Sequence, residues 1–241
     1  MDILEELTAL RRADVEKASR VRDVVSLFKS PGIHIIGELK KASPSEGLIR
    51  ANFDPTALAR ELAEAGATML SVLAEPHKFL GGEENVRLAR EAVDLPILFK
   101  DFVSTRYQIL RARACGADVV LLIAAVLADE QLSDLLAYAR SLGLETLVET
   151  HTEEEIDRAV KLGAKIIGVN CRDLRTFKTD PAITAELIRL IPEDRVRIAE
   201  SGIKTHDDVL KVHDAGADGF LIGTTLMRAE RPGQKLRELM G

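Results

Sequence analysis

AGATMLSVL (65–73), CGADVVLLI (115–123), LGAKIIGVN (162–170) and AGADGFLIG (215–223) repeat one design along the chain: a Gly-Ala step closing a helical stretch, then an apolar strand. Their glycines, Gly66, Gly116, Gly163 and Gly216, stand 50, 47 and 53 residues apart. A βα unit takes about 25 residues, so each interval holds two of them. A glycine at each helix end fits a left-handed C-cap, which a residue without Cβ adopts cheaply.

The intervening strands are GIHIIGELK (32–40), LPILFKDF (95–102), LETLVET (144–150) and VRIAES (196–201). Eight short runs rich in Ile, Val and Leu suit parallel strands covered on both faces. Helix starts are legible between them. Asp54-Pro55 and Asp180-Pro181 read as an N-cap followed by Pro at the first helical position, and Thr152 to Glu155 as a capping box. Strict alternation repeated eight times predicts a closed (β/α)8 TIM barrel of the α/β class. A doubly wound open sheet is the alternative, weakened because neither a GxGxxG nor a P-loop pattern occurs.

The 241 residues are 46% apolar and 30% charged, which excludes global disorder. A net charge of −6 argues against a nucleic-acid partner. No apolar run reaches the roughly 18 residues of a membrane span. The charged first residues resemble no signal or transit peptide. Two separated cysteines, Cys115 and Cys171, fit a reducing compartment, so the cytoplasm is the expected location. The expected organisation is one domain over residues 1–241, with 1–31 as a short N-terminal helical extension capping the barrel.

Ionised residues are costly in buried strands, yet here they recur at strand C-terminal ends. Strand 1 carries Glu38 and Lys40, two apart and so on one face. Strand 3 ends in Lys100, strand 5 in Glu149, strand 6 in Asn170 with Arg172 beyond it, and strand 7 in Glu200, Ser201 and Gly202. In a barrel these ends meet at one mouth, where active sites form. Lysines among carboxylates suit proton transfer. No HExxH, His cluster or carboxylate run suggests a metal site, and no GxSxG nucleophile motif is present; Cys115 reads as structural and His77 as an exposed loop residue.

The loops after strands 7 and 8, ESGIKT (200–205) and LIGTTLM (221–227), are where barrels hold phosphate. Gly202 and Gly223 would let backbone N–H groups approach an anion, and Ser201 and Thr224 add hydroxyls. KKASPSEG (40–47) is a polar loop long enough to fold over the mouth, bringing Ser43 and Ser45 with it. Phe79 and Phe102, with Leu121 on strand 4, could wall a flat ring.

IIGELKKASPSEG (35–47), SVLAEPHKFLGG (71–82), ILFKDF (97–102), GADVVLLI (116–123), LVETHTEEE (147–155), IGVNCRDLRTF (167–177), IAESGI (198–203) and FLIGTTLM (220–227) resemble the indole-3-glycerol phosphate synthases, segment by segment and in order. The resemblance spans roughly residues 30–230. It implies a cofactor-free barrel of tryptophan biosynthesis. Its substrate is a phosphorylated anthranilate derivative, 1-(2-carboxyphenylamino)-1-deoxyribulose 5-phosphate, closed to an indole with loss of CO2 and water. It further implies Lys100 as general acid, Lys40 as a loop lysine contacting the carboxylate, and Glu149 and Glu38 in proton removal and lysine positioning. Asn170 would orient the substrate, with Glu200 and Ser201 steadying the charge network. Ser43, Pro44, Ser45, Arg172, Leu174 and Leu221 would contact substrate, Gly202, Gly223 and Thr224 would cradle phosphate, and Phe79, Phe102 and Leu121 would wall the ring. A monomer is the assembly implied, a dimer the alternative. Phe99 and Cys171 depart from the family's common residues, as do Gly37 and Thr224.

Two other readings remain open on the residues. Another phosphate-binding barrel such as a phosphoribosylanthranilate isomerase would place a cysteine near the end of strand 1, where Glu38 and Lys40 stand instead. A barrel retained as a catalytically altered scaffold could lose mouth charges, and here none is missing.

Overall fold

The computed structural model describes residues 21–171 and 181–241. The predicted strands are all formed: β1 (Ile35–Leu39), β2 (Met69–Leu73), β3 (Ile97–Lys100), β4 (Val119–Ile123), β5 (Glu145–Thr150), β6 (Ile166–Val169), β7 (Val196–Ala199) and β8 (Gly219–Ile222). Each pairs in parallel with its chain neighbours, and β1 with β8, closing a barrel. Helices α1 (Pro55–Glu64), α2 (Glu83–Ala92), α3 (Arg106–Ala114), α4 (Asp129–Ser141), α5 (Glu153–Lys161), α6 (Pro181–Leu190) and α7 (His206–Asp214) alternate with the strands, and α8 (Pro232–Met240) follows β8 after a one-turn helix, Thr224–Arg228. This is the (β/α)8 barrel.

The period-two alternation of each strand sorts its side chains into two cores. Ile36, Met69, Leu98, Leu147, Ile166 and Ile198 fill the barrel interior. Their neighbours Ile35, Leu70, Ile97, Val148, Ile167 and Ala199 pack outward against the helices. Phe99 belongs to that outer layer and is buried, so this departure from the family pattern alters packing and not the charge of the mouth.

The repeated glycines act as expected. Gly66, Gly116, Gly163 and Gly216 have φ of 100°, 85°, 81° and 103°, the left-handed geometry that ends each helix and turns the chain into the next strand. Asp54 caps α1 by accepting from the N–H groups of Thr56 and Ala57, with Pro55 behind it. The Thr152 capping box is only half formed. Thr152 accepts from the Glu155 N–H, but the Glu155 carboxylate takes the N–H of His151 instead of that of Thr152. Asp180 lies outside the described residues.

Of the N-terminal extension, residues 1–20 lie outside the described residues. Its end forms a one-turn helix, Val24–Phe28, whose Val24 and Phe28 join the interior cluster. They plug the bottom of the barrel, where burial of one Phe is worth about 3–5 kcal/mol against Ala. Asp118 and Asp218, from the two GAD repeats, accept from the Ile97 and Arg197 backbone N–H at 2.9 and 2.8 Å and pair with Arg22 and Lys29. Each aspartate thus stitches a strand to its neighbour and to the extension at the end opposite the mouth. Among the described residues no helix is long and apolar enough to cross a membrane.

Candidate active site

The strand registers set the site. Glu38 pairs with Ser71, Leu73 with Lys100, and Ile123 with Glu149, so each pair stands toward the C-terminal ends of its strands, at the rim. Above them opens a cavity of about 670 Å³, a size suited to a small ligand. It is lined by Glu38, Lys40, Lys100, Glu149, Asn170, Glu200 and Ser201 together with Ser43, Pro44, Ser45, Phe79, Phe102, Leu121, Gly202, Leu221, Gly223 and Thr224. Residues scattered over about 190 positions of chain therefore face one space. Arg172 and Leu174 lie outside the described residues.

Lys100 is the hub. Its Nζ donates to Glu149 Oε2 and to Glu200 Oε2, each at 2.8 Å. Glu149 Oε1 accepts from Asn170 Nδ2 at 3.1 Å, and Ser201 Oγ donates to Asn170 Oδ1 at 2.7 Å. A second pair stands beside it, with Lys40 Nζ 2.8 Å from Glu38 Oε1 and Ser71 Oγ donating to Glu38 Oε2 at 3.3 Å.

Burial and charge act against each other here. Burial pushes the Glu38 carboxyl up, but Lys40 and Lys100 outweigh it and hold the group below its ordinary value. Burial disfavours the Lys100 ammonium, and Glu149, Glu200 and Glu38 overcome this, raising its affinity for the proton well above normal. Glu149 and Glu200 are too close for both to ionise freely. Glu149 gains more from Lys100 than burial costs and stays ionised. Glu200, the more deeply buried, is pushed up to about 8 by burial and by the charge on Glu149. With Glu200 protonated, the two lysines balance the two ionised carboxylates.

This has a measurable consequence. Glu200 has a folded-state value above its unfolded one near 4.5, so its contribution to stability is complete below that and is lost as the pH rises through about 8. Glu149 works in the other sense, its contribution present above about 4.5 and lost toward about 2. Stability is therefore expected to fall from about pH 5 to about pH 8, and Glu200→Gln, which never ionises, to flatten that slope. Urea unfolding across this range checks it; an unchanged slope in the variant places the proton elsewhere.

The polar loop after β1 folds over the rim. Its two-residue strands Ala42–Ser43 and Gly47–Leu48 pair antiparallel, Glu46 forms an ion pair with Arg228, and an Arg50 Nη donates to the carbonyls of Met227 and Ala229. Across the mouth Phe79 and Phe102 meet with ring centroids 6.2 Å apart, Phe102 being 54% exposed and open to an incoming ring. His77 is exposed and Cys115 buried, as expected.

His151, Glu46, Asp101, Lys204 and Arg228 also line the cavity and were not anticipated as site residues. The signal for His151 was present. It follows Glu149 by two, the same spacing that put Lys40 beside Glu38. Its Nδ1 stands 3.3 Å from Glu155 and its Nε2 3.5 Å from Glu149 Oε1. Arg228 reaches the site by a helical turn after β8, which no strand periodicity marks.

Comparison with known proteins agrees with this architecture. The structure resembles thiamine phosphate pyrophosphorylase from Pyrococcus furiosus, with a TM-score of 0.64 at 19% identity over 86% of this chain and 93% of that one. It also resembles N-acetylmannosamine-6-phosphate 2-epimerase from Clostridium perfringens, with a TM-score of 0.63 at 17% identity over 83% of this chain and 89% of that one. At such identities the likeness is one of fold. In sequence the chain is 46% identical over 239 residues to the indole-3-glycerol phosphate synthase of Albidiferax ferrireducens, covering 97% of this chain and 89% of that protein. It is 49% identical over 210 residues to that of Koribacter versatilis, covering 87% and 81%. The family model described as indole-3-glycerol phosphate synthase matches residues 3–239, and the chain belongs to the indole-3-glycerol phosphate synthase family.

Proposed function

We propose that the groups at the mouth divide between them the family's carboxy-lyase reaction: closure of 1-(2-carboxyphenylamino)-1-deoxyribulose 5-phosphate to indole-3-glycerol phosphate. The observation that carries this reading is the Lys100 ammonium clamped between Glu149 and Glu200 at the floor of a single cavity. The glycine loops Ser201–Gly202 and Gly223–Thr224 line the same cavity and offer backbone N–H groups to the phosphate.

The carboxylate-bearing ring carbon attacks the ketone carbon, and the ketone electron pair moves to oxygen, which takes the Lys100 proton. The flanking carboxylates bind that proton tightly, so it leaves only for a strong base such as the developing alkoxide. Loss of CO2 then returns an electron pair to the ring and restores its aromaticity. The new hydroxyl leaves as water with a proton from Lys40, while Glu149 takes a proton from the adjacent carbon and the indole double bond forms. Glu149 lies 2.8 Å from Lys100, close enough to return that proton to it. Glu38 positions Lys40, and Asn170 holds Glu149 and the substrate hydroxyls. Phe79, Phe102 and Leu121 press the ring toward the attack geometry, where orientation supplies much of the rate.

The chain has no Trp and two Tyr, so an indole product is visible against the protein's own emission. The purified protein given this substrate is expected to show indole emission rising with CO2 release in equal amounts. A flat trace from folded protein removes the reading.

A further inference from the structure

Gly168 sits on β6 between Ile166 and Asn170 and faces the barrel interior, in register with Glu149 on β5 and Ile198 on β7. A bulky apolar residue is the usual filling of such a position. Here the space is taken by Glu200, which reaches back over β6 from the end of β7. A methyl group built on Gly168 would overlap Glu200 Oε1 and lie 2.9 Å from its Cδ, inside the roughly 3.5 Å of ordinary carbon contact.

Two further observations give this contact weight. Glu200 Oε1 is buried and has no hydrogen-bond partner among the described residues, so the room over β6 seats this oxygen while Lys100 holds Oε2. The β6 backbone, in contrast, is pinned: the buried Thr150 Oγ1 donates to the Gly168 carbonyl at 2.8 Å, in addition to the parallel ladders on either side. If a side chain were added at 168, the strand would stay and the carboxylate would move. A second interior carboxylate, Glu38, repeats the arrangement. A methyl on Gly223, beside β1, would overlap Glu38 Oε1 and lie 3.0 Å from its Cδ.

We propose that Gly168 is a positioning residue for the reaction: the room left by its missing side chain holds the Glu200 carboxylate against Lys100 and so fixes the direction of the ammonium. The proposal rests on the reading of Lys100 as the acid, and it concerns a residue that touches no substrate itself. Displacing Glu200 by about 1 Å leaves Lys100 tethered by Glu149 alone. A misplacement of that order costs up to about 100-fold in rate.

The test is a double-mutant cycle with a structural readout. Gly168→Ala is expected to lower kcat about 10- to 100-fold with KM changed less than about threefold. Its crystal structure should show the Glu200 carboxylate withdrawn from Lys100. Gly82→Ala is the control, since a methyl there meets open space, and it should keep full activity. In a Glu200→Ala background the carboxylate is gone, so adding Gly168→Ala should change kcat by less than about twofold. Independent damage would instead multiply the two losses. Should Gly168→Ala fail to fold, the double variant, with its room restored, should fold. Wild-type kcat in Gly168→Ala, multiplied losses in the cycle, a carboxylate still bonded to Lys100, or a double variant that also fails to fold would each overturn the proposal. If the wild-type protein makes no indole, the functional reading falls, while the carboxylate position in the variant crystal still decides this one.

Discussion

Lys100→Met is expected to slow indole formation by about 100- to 10,000-fold while the barrel stays folded, because it removes the proposed proton donor and keeps the aliphatic stem. The variant also carries a distinct stability signature. Glu149 and Glu200 both lean on this one ammonium at 2.8 Å. Without it, two buried carboxyls are left with burial and mutual repulsion, and their folded-state values rise above the unfolded ones. Such groups stabilise at low pH and lose that contribution as the pH rises through their folded values. The variant should therefore melt below the wild type at neutral pH, by the equivalent of about 3–5 kcal/mol for a broken buried pair, and approach it near pH 5. Stopped-flow indole emission and melting curves at both pH values measure this. A rate within twofold of wild type removes the acid role from Lys100.

Glu149→Gln should be comparably slow, about 100- to 10,000-fold, for the complementary reason: the amide cannot accept the proton that aromatisation releases. Lys100 keeps a partner in this variant. Removal of the Glu149 charge takes away part of what keeps Glu200 protonated, so Glu200 ionises more easily and stays bonded to the lysine. The loss of stability with rising pH should accordingly be shallower than in wild type. Slow turnover with that shallower slope assigns the proton acceptor to Glu149. A near-normal rate moves the base elsewhere in the cavity, to Glu38 or to the newly ionised Glu200.

The parts of this protein that are local in sequence were readable before any coordinates. The four Gly-Ala steps end helices because a left-handed residue is needed there, and all four glycines have positive φ. The two-residue period of a strand placed Lys40 beside Glu38, and the same rule, applied at the end of β5, would have found His151. The Thr152 capping box failed by one residue, since the Glu155 carboxylate accepts from the N–H of His151, one position before the cap. Arg228 and Glu46 were not legible, because their pairing depends on how a loop and a one-turn helix from opposite ends of the chain lie against each other.

The sequence by itself determined the barrel, its eight strands and the set of charged residues at their ends, because hydrophobic period and helix capping act over a few residues. Only the tertiary structure decided which carboxylates share which lysine, which of them keeps a proton, and why Gly168 carries no side chain. Those outcomes depend on distances of a few ångströms between residues up to 100 positions apart, in a site where burial makes each charge answer to its nearest neighbours.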